Sequence, residues 1–247
     1  MMTVIAIIPC RSGSVGIKDK NIRQFLGMPL MCQAIGPATN SKMINEVIVS
    51  TDSQEYADIA TSYGASVPFL RPPKLSEDVP TEDVILYLIR KLNKDREEKI
   101  DIVVTMQCTT PGILPLELDY MIEKVMNGGF DSATTFTLAM ENPEWMYTSD
   151  KMGKMTHIST NIEMKGKVTI RQNLGPKFRL TGAAYVTSVE MLMKHKQLLP
   201  GNLFGFQMPI HRSIDIDTEY DFHVAELLLN NPQHTVLQDL MRKLRLQ

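Results

Sequence analysis

Val4-Ile5-Ala6-Ile7-Ile8-Pro9, followed by Cys10-Arg11-Ser12-Gly13-Ser14-Val15-Gly16-Ile17-Lys18-Asp19-Lys20-Asn21, decides how the chain is read. A short β-branched run closed by proline reads as a buried strand. The loop after it carries three cations, Arg11, Lys18 and Lys20, and two glycines, Gly13 and Gly16. Glycine lets backbone N–H groups turn toward an anion, and the cations supply charge, a combination suited to a triphosphate. The spacing matches neither the Walker loop nor the dinucleotide Gly-x-Gly-x-x-Gly pattern. A basic surface turn is the alternative for the loop taken alone.

Outward from this stretch, strands alternate with helices. Glu46-Val47-Ile48-Val49-Ser50 reads as a second strand, with Thr51-Asp52-Ser53 as an N-cap signal for a helix over 54–63 that stops at Gly64. Val67-Pro68-Phe69-Leu70 reads as a short edge strand, and residues 84–92 carry helical spacing. A third buried strand is expected over 101–106, a helix over 116–125 and a strand over 132–137. Continuous apolar strands alternating with helices predict a mostly parallel central sheet covered on both faces. Ligands of such sheets bind beyond the carboxyl ends of the strands, where the basic loop and the polar segment after Met106 both fall.

The pattern breaks over about 139–181, which reads as an inserted arm with short β-like pieces at Met155-Thr156-His157-Ile158 and Val168-Thr169-Ile170. Strand character returns at Ala183-Ala184-Tyr185-Val186, and a helix is expected from Val189. Ile214-Asp215-Ile216-Asp217-Thr218 then enters a helix with Thr218 as a cap, and a terminal helix is expected after Pro232. Two carboxylates two apart on an extended segment project to one side, a geometry suited to a hard divalent cation; one capping and one solvated Asp is the plainer alternative.

The 247 residues are read as one domain, long enough for a sizeable core. A net charge of −2 gives no global field for nucleic acid or an anionic membrane, so any polyanion site is local. The chain shows neither a membrane-length apolar run nor a signal-peptide pattern. Cys10, Cys32 and Cys108 lack metal-ligand spacing, and a cytoplasmic location is expected. The five histidines are scattered, and no Ser-His or Cys-His constellation stands out.

Seven blocks, in order, carry a resemblance. They are Ile8-Pro9-Cys10-Arg11-Ser12-Gly13-Ser14 with Lys18-Asp19-Lys20-Asn21, Val49-Ser50-Thr51-Asp52, Phe69-Leu70-Arg71-Pro72 with Asp78, Met106-Gln107-Cys108-Thr109-Thr110-Pro111, Arg171-Gln172-Asn173-Leu174, Gly182-Ala183-Ala184-Tyr185, and Arg212-Ser213-Ile214-Asp215-Ile216-Asp217-Thr218. On these blocks the chain resembles the acylneuraminate cytidylyltransferase family, which activates sialic acids and related nine-carbon keto-sugar acids as CMP sugars. The resemblance implies a Rossmann-like nucleotide-diphospho-sugar-transferase fold and a homodimer whose arm closes the partner's sugar pocket. It implies that Arg11, Ser12, Gly13, Lys18, Lys20, Asn21 and Arg71 hold CTP, and that Gln107, Arg171, Arg179 and Tyr185 hold the sugar acid. Asp215 and Asp217 would bind Mg²⁺, with Arg11, Lys20 and Asp217 closest to the chemistry. Four positions depart from the family pattern: Val15 where many relatives carry Lys, Ile113 where a block ends in Arg, Thr181 in place of Asn, and Glu82 in a nucleoside pocket of small residues. Two alternatives stay open: an impaired relative that binds nucleotide or sugar, and a nucleotidyltransferase for another acceptor such as the eight-carbon lipopolysaccharide acid.

Overall fold

A computed structural model describes residues 2–14, 16–94, 96–158 and 174–231. The first strand, β1 (Val4–Pro9), and β4 (Glu46–Ser50) have the bounds that their β-branched runs predict. Between them lie a small hairpin, β2 (Gln24–Phe25) with β3 (Met28–Pro29), and helix α1 (Cys32–Thr39). Helix α2 (Gln54–Ser62) starts where the Ser53 hydroxyl accepts from Tyr56 N–H, and Gly64 beyond it has φ +90°. Helices α3 (Thr81–Lys94) and α4 (Pro115–Met126) flank β5 (Ile102–Met106), and β6 (Ser132–Leu138) follows. The remaining elements are β7 (Tyr147–Ser149), β8 (Met155–His157), β9 (Phe178–Ser188), α5 (Val189–His195), β10 (Leu203–Gln207) and α6 (Glu219–Leu229).

Among the described residues, the central sheet has six strands in the order β10-β6-β9-β5-β1-β4. Only β9 runs against its neighbours β5 and β6; the other pairings are parallel. The mostly parallel sheet expected from the sequence is therefore present, with one reversed strand. Alternate residues of each strand feed two apolar layers. Ile8, Val49, Val104 and Met106 pack against α1, α2 and α4, while Ile5, Ile7, Ile48 and Val103 pack against α3 and α5. A third cluster, with Ile17, Phe25, Leu30, Ile216 and Phe222, joins the hairpin to α6. No helix among the described residues is long and apolar enough to cross a membrane.

Two sequence expectations change. Residues 67–70 form no strand; the contact there is a single bridge between Ile48 and Ser66. Pro68 removes the N–H that a ladder would need. The strand expected at 183–186 begins earlier, at Phe178, so residues 178–180 pair with β6 inside the span assigned to the arm. The arm's β7 and β8 form a separate antiparallel pair, as expected of a segment outside the main sheet. The expected strand at 168–170, the terminal helix after Pro232, Val15 and Arg171 lie outside the described residues.

Candidate active site

The carboxyl ends of β1, β4 and β5 open at one edge of the sheet, and the loops leaving them build the site. The loop after β1 is pinned at both ends. Ser12 donates from its N–H and its hydroxyl to the two Asp52 oxygens, each at 2.9 Å. Partial burial pushes the Asp52 pKa up, but these bonds and the nearby Arg71 guanidinium outweigh it and hold the carboxyl below its usual range. Asn21, buried, donates to the Arg11 carbonyl at 3.1 Å and closes the loop on itself. Arg11 reaches the exposed Asp78 at 3.4 Å, while Lys18 points into solvent and Gly13 has open space around it.

Lys20 connects this loop to the acidic segment. Its buried ammonium donates to the Ile216 carbonyl at 2.5 Å and to Asp217 Oδ1 at 3.2 Å. The two segments also touch through backbone: a Cβ at Gly16 would collide with the Asp217 carbonyl oxygen. Glycine here serves close approach. The substitution Gly16→Ala is expected to push the loops apart and lower kcat/KM for CTP by at least about tenfold, with the fold retained. Steady-state kinetics beside a melting curve checks this; unchanged kcat/KM would mean the approach is incidental.

The acidic segment is held from below. Ile216 N–H donates to the Thr109 carbonyl at 2.8 Å, and Asp221 accepts from Thr218 N–H, the Thr218 hydroxyl and Asp217 N–H in a capping box at the start of α6. Asp215 is exposed to solvent yet crowded by neighbouring protein atoms. Crowding raises its pKa above the ordinary 3.8; the Thr109 hydroxyl bond, Lys20 and Arg179 lower it, while Asp217 raises it. Below this segment is a buried ion pair absent from the sequence reading. Arg212 donates to Glu117 through both terminal nitrogens, at 2.7 and 2.5 Å, and to the Gly112 carbonyl at 2.8 Å. Arg212 stands in a recognisable block, but no local signal pairs it with a glutamate on α4.

On the other side of the cleft, Tyr185 projects from β9 beside Asp215 and Glu82. Burial raises its hydroxyl pKa first, and the two carboxylates add to it. Arg179, also on β9, donates to the Ser213 carbonyl at 2.9 Å and so lies against the acidic segment. Gln107, half-buried past the end of β5, lies over Gly182: a Cβ there would sit 3.2 Å from the Gln107 side-chain oxygen. Arg71 is buried with three of its five N–H donors committed, to the Ser50 hydroxyl at 3.1 Å, the Ser50 carbonyl at 2.6 Å and the Leu75 carbonyl at 3.3 Å. It therefore braces the end of β4, next to Asp52. The structure brings Lys20, Asp215, Asp217, Arg179 and Tyr185 near one another, joins Arg11, Ser12 and Asn21 in the loop, and leaves Lys18 exposed.

The sequence profile of the Cytidylyltransferase family matches residues 5–228. The chain belongs to the cytidylyltransferase family. CMP-N,N'-diacetyllegionaminic acid synthase of Legionella pneumophila is 32% identical over 241 residues, covering 96% of this chain and 100% of that one. N-acylneuraminate cytidylyltransferase of Streptococcus agalactiae is 30% identical over 225 residues, 90% of this chain and 52% of the longer relative. Pseudaminic acid cytidylyltransferase of Campylobacter jejuni is 26% identical, covering 92% and 96%. The fold also matches a CMP:2-keto-3-deoxy-manno-octonic acid synthetase complexed with CTP, at TM-score 0.67, 15% identity, and 92% and 98% coverage. As a cytidylyltransferase, the chain is a CTP-dependent nucleotidyltransferase.

Proposed function

We propose that this cytidylyltransferase moves CMP from CTP to the anomeric hydroxyl of a nine-carbon, sialic-acid-like keto-sugar acid, releasing pyrophosphate. The observation that carries the reading is the Lys20 ammonium joining the triphosphate-type loop to Ile216 and Asp217, which brings the basic loop and the acidic segment together. The relatives named for legionaminic, neuraminic and pseudaminic acids support the acceptor class. Behind the eight-carbon acceptor stands a fold likeness at 15% identity, which speaks to the fold and not to the acceptor. Retention of Arg11, Lys20, Asp215 and Asp217 favours an active enzyme over an impaired binding relative.

In this reading Arg11, Ser12, Gly13, Lys18 and Lys20 hold the phosphates, and Asn21 and Arg71 shape the nucleoside side. Gln107, Arg171, Arg179 and Tyr185 hold the acceptor, whose carboxylate a guanidinium receives well. The residues fit Mg²⁺: Asp215 and Asp217 offer two hard oxygen donors, and no cluster of three or more potential ligands exists among the described residues. An ion held by these two carboxylates alone would need phosphate oxygens and water to complete its shell. Bound there, the ion would supply charge stabilisation at the phosphates. Lys20 and Arg11 add cationic charge where negative charge develops, and the two clefts align attacker and phosphorus. No protein nucleophile is required.

The proposal extends to a cytoplasmic homodimer. Met140, Tyr147, Met152, Met155, Phe178 and Leu180 are exposed on and beside the arm, apolar side chains that a second subunit would cover. Sedimentation at micromolar concentration is expected to give a dimer. Pyrophosphate release from CTP and Mg²⁺ across a panel of sialic, legionaminic, pseudaminic and eight-carbon acids tests the activity. Release with a nine-carbon acid supports the reading; release with the eight-carbon acid alone, or none, overturns it.

A pH dependence follows from Asp215. Its raised pKa means that, as pH falls, it takes up a proton earlier than an ordinary carboxylate would, and the neutral acid is a poor cation ligand. Mg²⁺ affinity at saturating CTP is expected to fall on the acid side with an apparent pKa above 3.8. An acid limb at or below that value would remove Asp215 from the cation site.

A further inference from the structure

We propose that Cys10 and Cys108 are a modification site, a buried dithiol at the base of the Arg11 and Gln107 loops that a hydroperoxide-class oxidant converts reversibly to a disulfide. The geometry comes from the sheet register. In the pairing of β1 with β5, Val4 lies opposite Ile102 and Ile7 opposite Thr105, an offset that carries Cys10 opposite Cys108 just past the ends of the strands. Their sulfurs are 2.8 Å apart, sharing one S–H hydrogen bond. Neighbouring strands hold facing residues at a separation that suits a disulfide, so bond formation asks for little backbone movement. All three cysteines are free thiols.

The thiols are buried, but they stand beside the cleft. Cys10 directly precedes Arg11 and Ser12 of the phosphate-type loop, and Cys108 directly follows Gln107. The hydrogen bond to Cys108, followed by burial, raises the Cys10 thiol well above its ordinary value, so the thiolate is scarce and only sustained oxidant reacts. In the first step one sulfur attacks the peroxide O–O bond, giving a sulfenic acid and water. In the second the other thiol attacks that sulfur, the S–S bond forms and a second water leaves. Two thiols lose two electrons and two protons, and one hydrogen peroxide becomes two waters. Reductant reverses the bond by thiol exchange.

Cys32, the first residue of α1, is the competing partner. Burial and then the proximity of Cys108 push its thiol up to about 12. No sulfur contact of Cys32 matches the one between Cys10 and Cys108 among the described residues. A bond between Cys10 and Cys108 would fix the spacing of the Arg11 loop from the Gln107 loop, and so, on the function proposed above, would slow turnover.

Peptide mapping of the full-length protein separates the pairings, because trypsin places the three cysteines in different peptides, 1–11, 24–42 and 100–124. After hydrogen peroxide treatment and alkylation in denaturant, the expected product is 1–11 linked to 100–124, lost on adding dithiothreitol and equally formed in Cys32→Ser. Pyrophosphate release should fall about tenfold with the link and recover with reductant. A link through 24–42, or sulfinic acid without a link, would overturn the site. A correct link with unchanged turnover would overturn its effect on the cleft. If the link forms but the reduced enzyme never releases pyrophosphate, the functional reading fails and the dithiol site stands.

Discussion

Asp217→Asn is expected to reduce Mg²⁺-dependent pyrophosphate release by at least about 10²-fold, the scale on which a preorganised charge at a transition state acts. Asp217 is largely exposed, so its removal takes little packing from the fold, and its backbone N–H keeps Asp221 as an acceptor. Lys20 loses its ionic partner but keeps the Ile216 carbonyl at 2.5 Å. Lys20 is buried but Asp217 is open to water, and the replacing amide keeps an oxygen that can accept from the ammonium, so melting should shift by no more than several degrees. The decisive comparison is a Mg²⁺ titration of both proteins at saturating CTP. The variant should show a lower maximum and a weaker Mg²⁺ dependence together. A normal Mg²⁺ midpoint with near-normal turnover would assign Asp217 to bracing Lys20 alone.

The parts of this architecture that sequence could convey are those whose cause is local. β1 and β4 were legible because runs of Ile and Val buried on both faces read as covered strands wherever they sit in the sheet, and Ser53 and Gly64 bracket α2 by cap chemistry alone. β10 carried no comparable mark. Its residues Leu203-Phe204-Gly205-Phe206-Gln207 include a glycine packed beneath the Phe136 ring, and only the presence of β6 explains why that strand forms. The start of β9 was hidden for the same reason, since Phe178, Arg179 and Leu180 are exposed and gain strand geometry from Leu138, Thr137 and Phe136. In the site, loops supplied the residue types, whereas their meetings join distant segments. Lys20 and Ile216 are 196 positions apart, and Ser12 and Asp52 are 40 apart. Arg71 shows the limit of motif reasoning: its context marked it as important, yet its donors turn first toward Ser50 and Leu75.

The buried pair of Arg212 and Glu117 should be the most sensitive point of the fold that is not itself in the cleft. Each side chain is under one-tenth exposed, and Glu117 also accepts from Leu114 N–H at 3.0 Å, so the carboxylate serves α4 and the 112–114 turn at once. Glu117→Ala strands a guanidinium in the interior, a change that typically costs about 3–5 kcal/mol. For a chain of this size that corresponds to a melting temperature lower by roughly 6–20 °C. The double variant Glu117→Met with Arg212→Leu removes both charges and keeps similar bulk, so it should recover much of the stability. It should not recover the activity. Arg212 stands just before Ser213, whose carbonyl receives Arg179, and three residues before Asp215, so its fork fixes where the acidic segment enters the cleft. Thermal melts and kcat/KM on the two variants separate the contributions: stability restored with kcat/KM still depressed at least about tenfold identifies the pair as a positioning device. Full recovery of both would reduce it to packing, and a double variant as unstable as the single would mean that the hydrogen bonds to Gly112 and Leu114, not the opposed charges, hold this corner together.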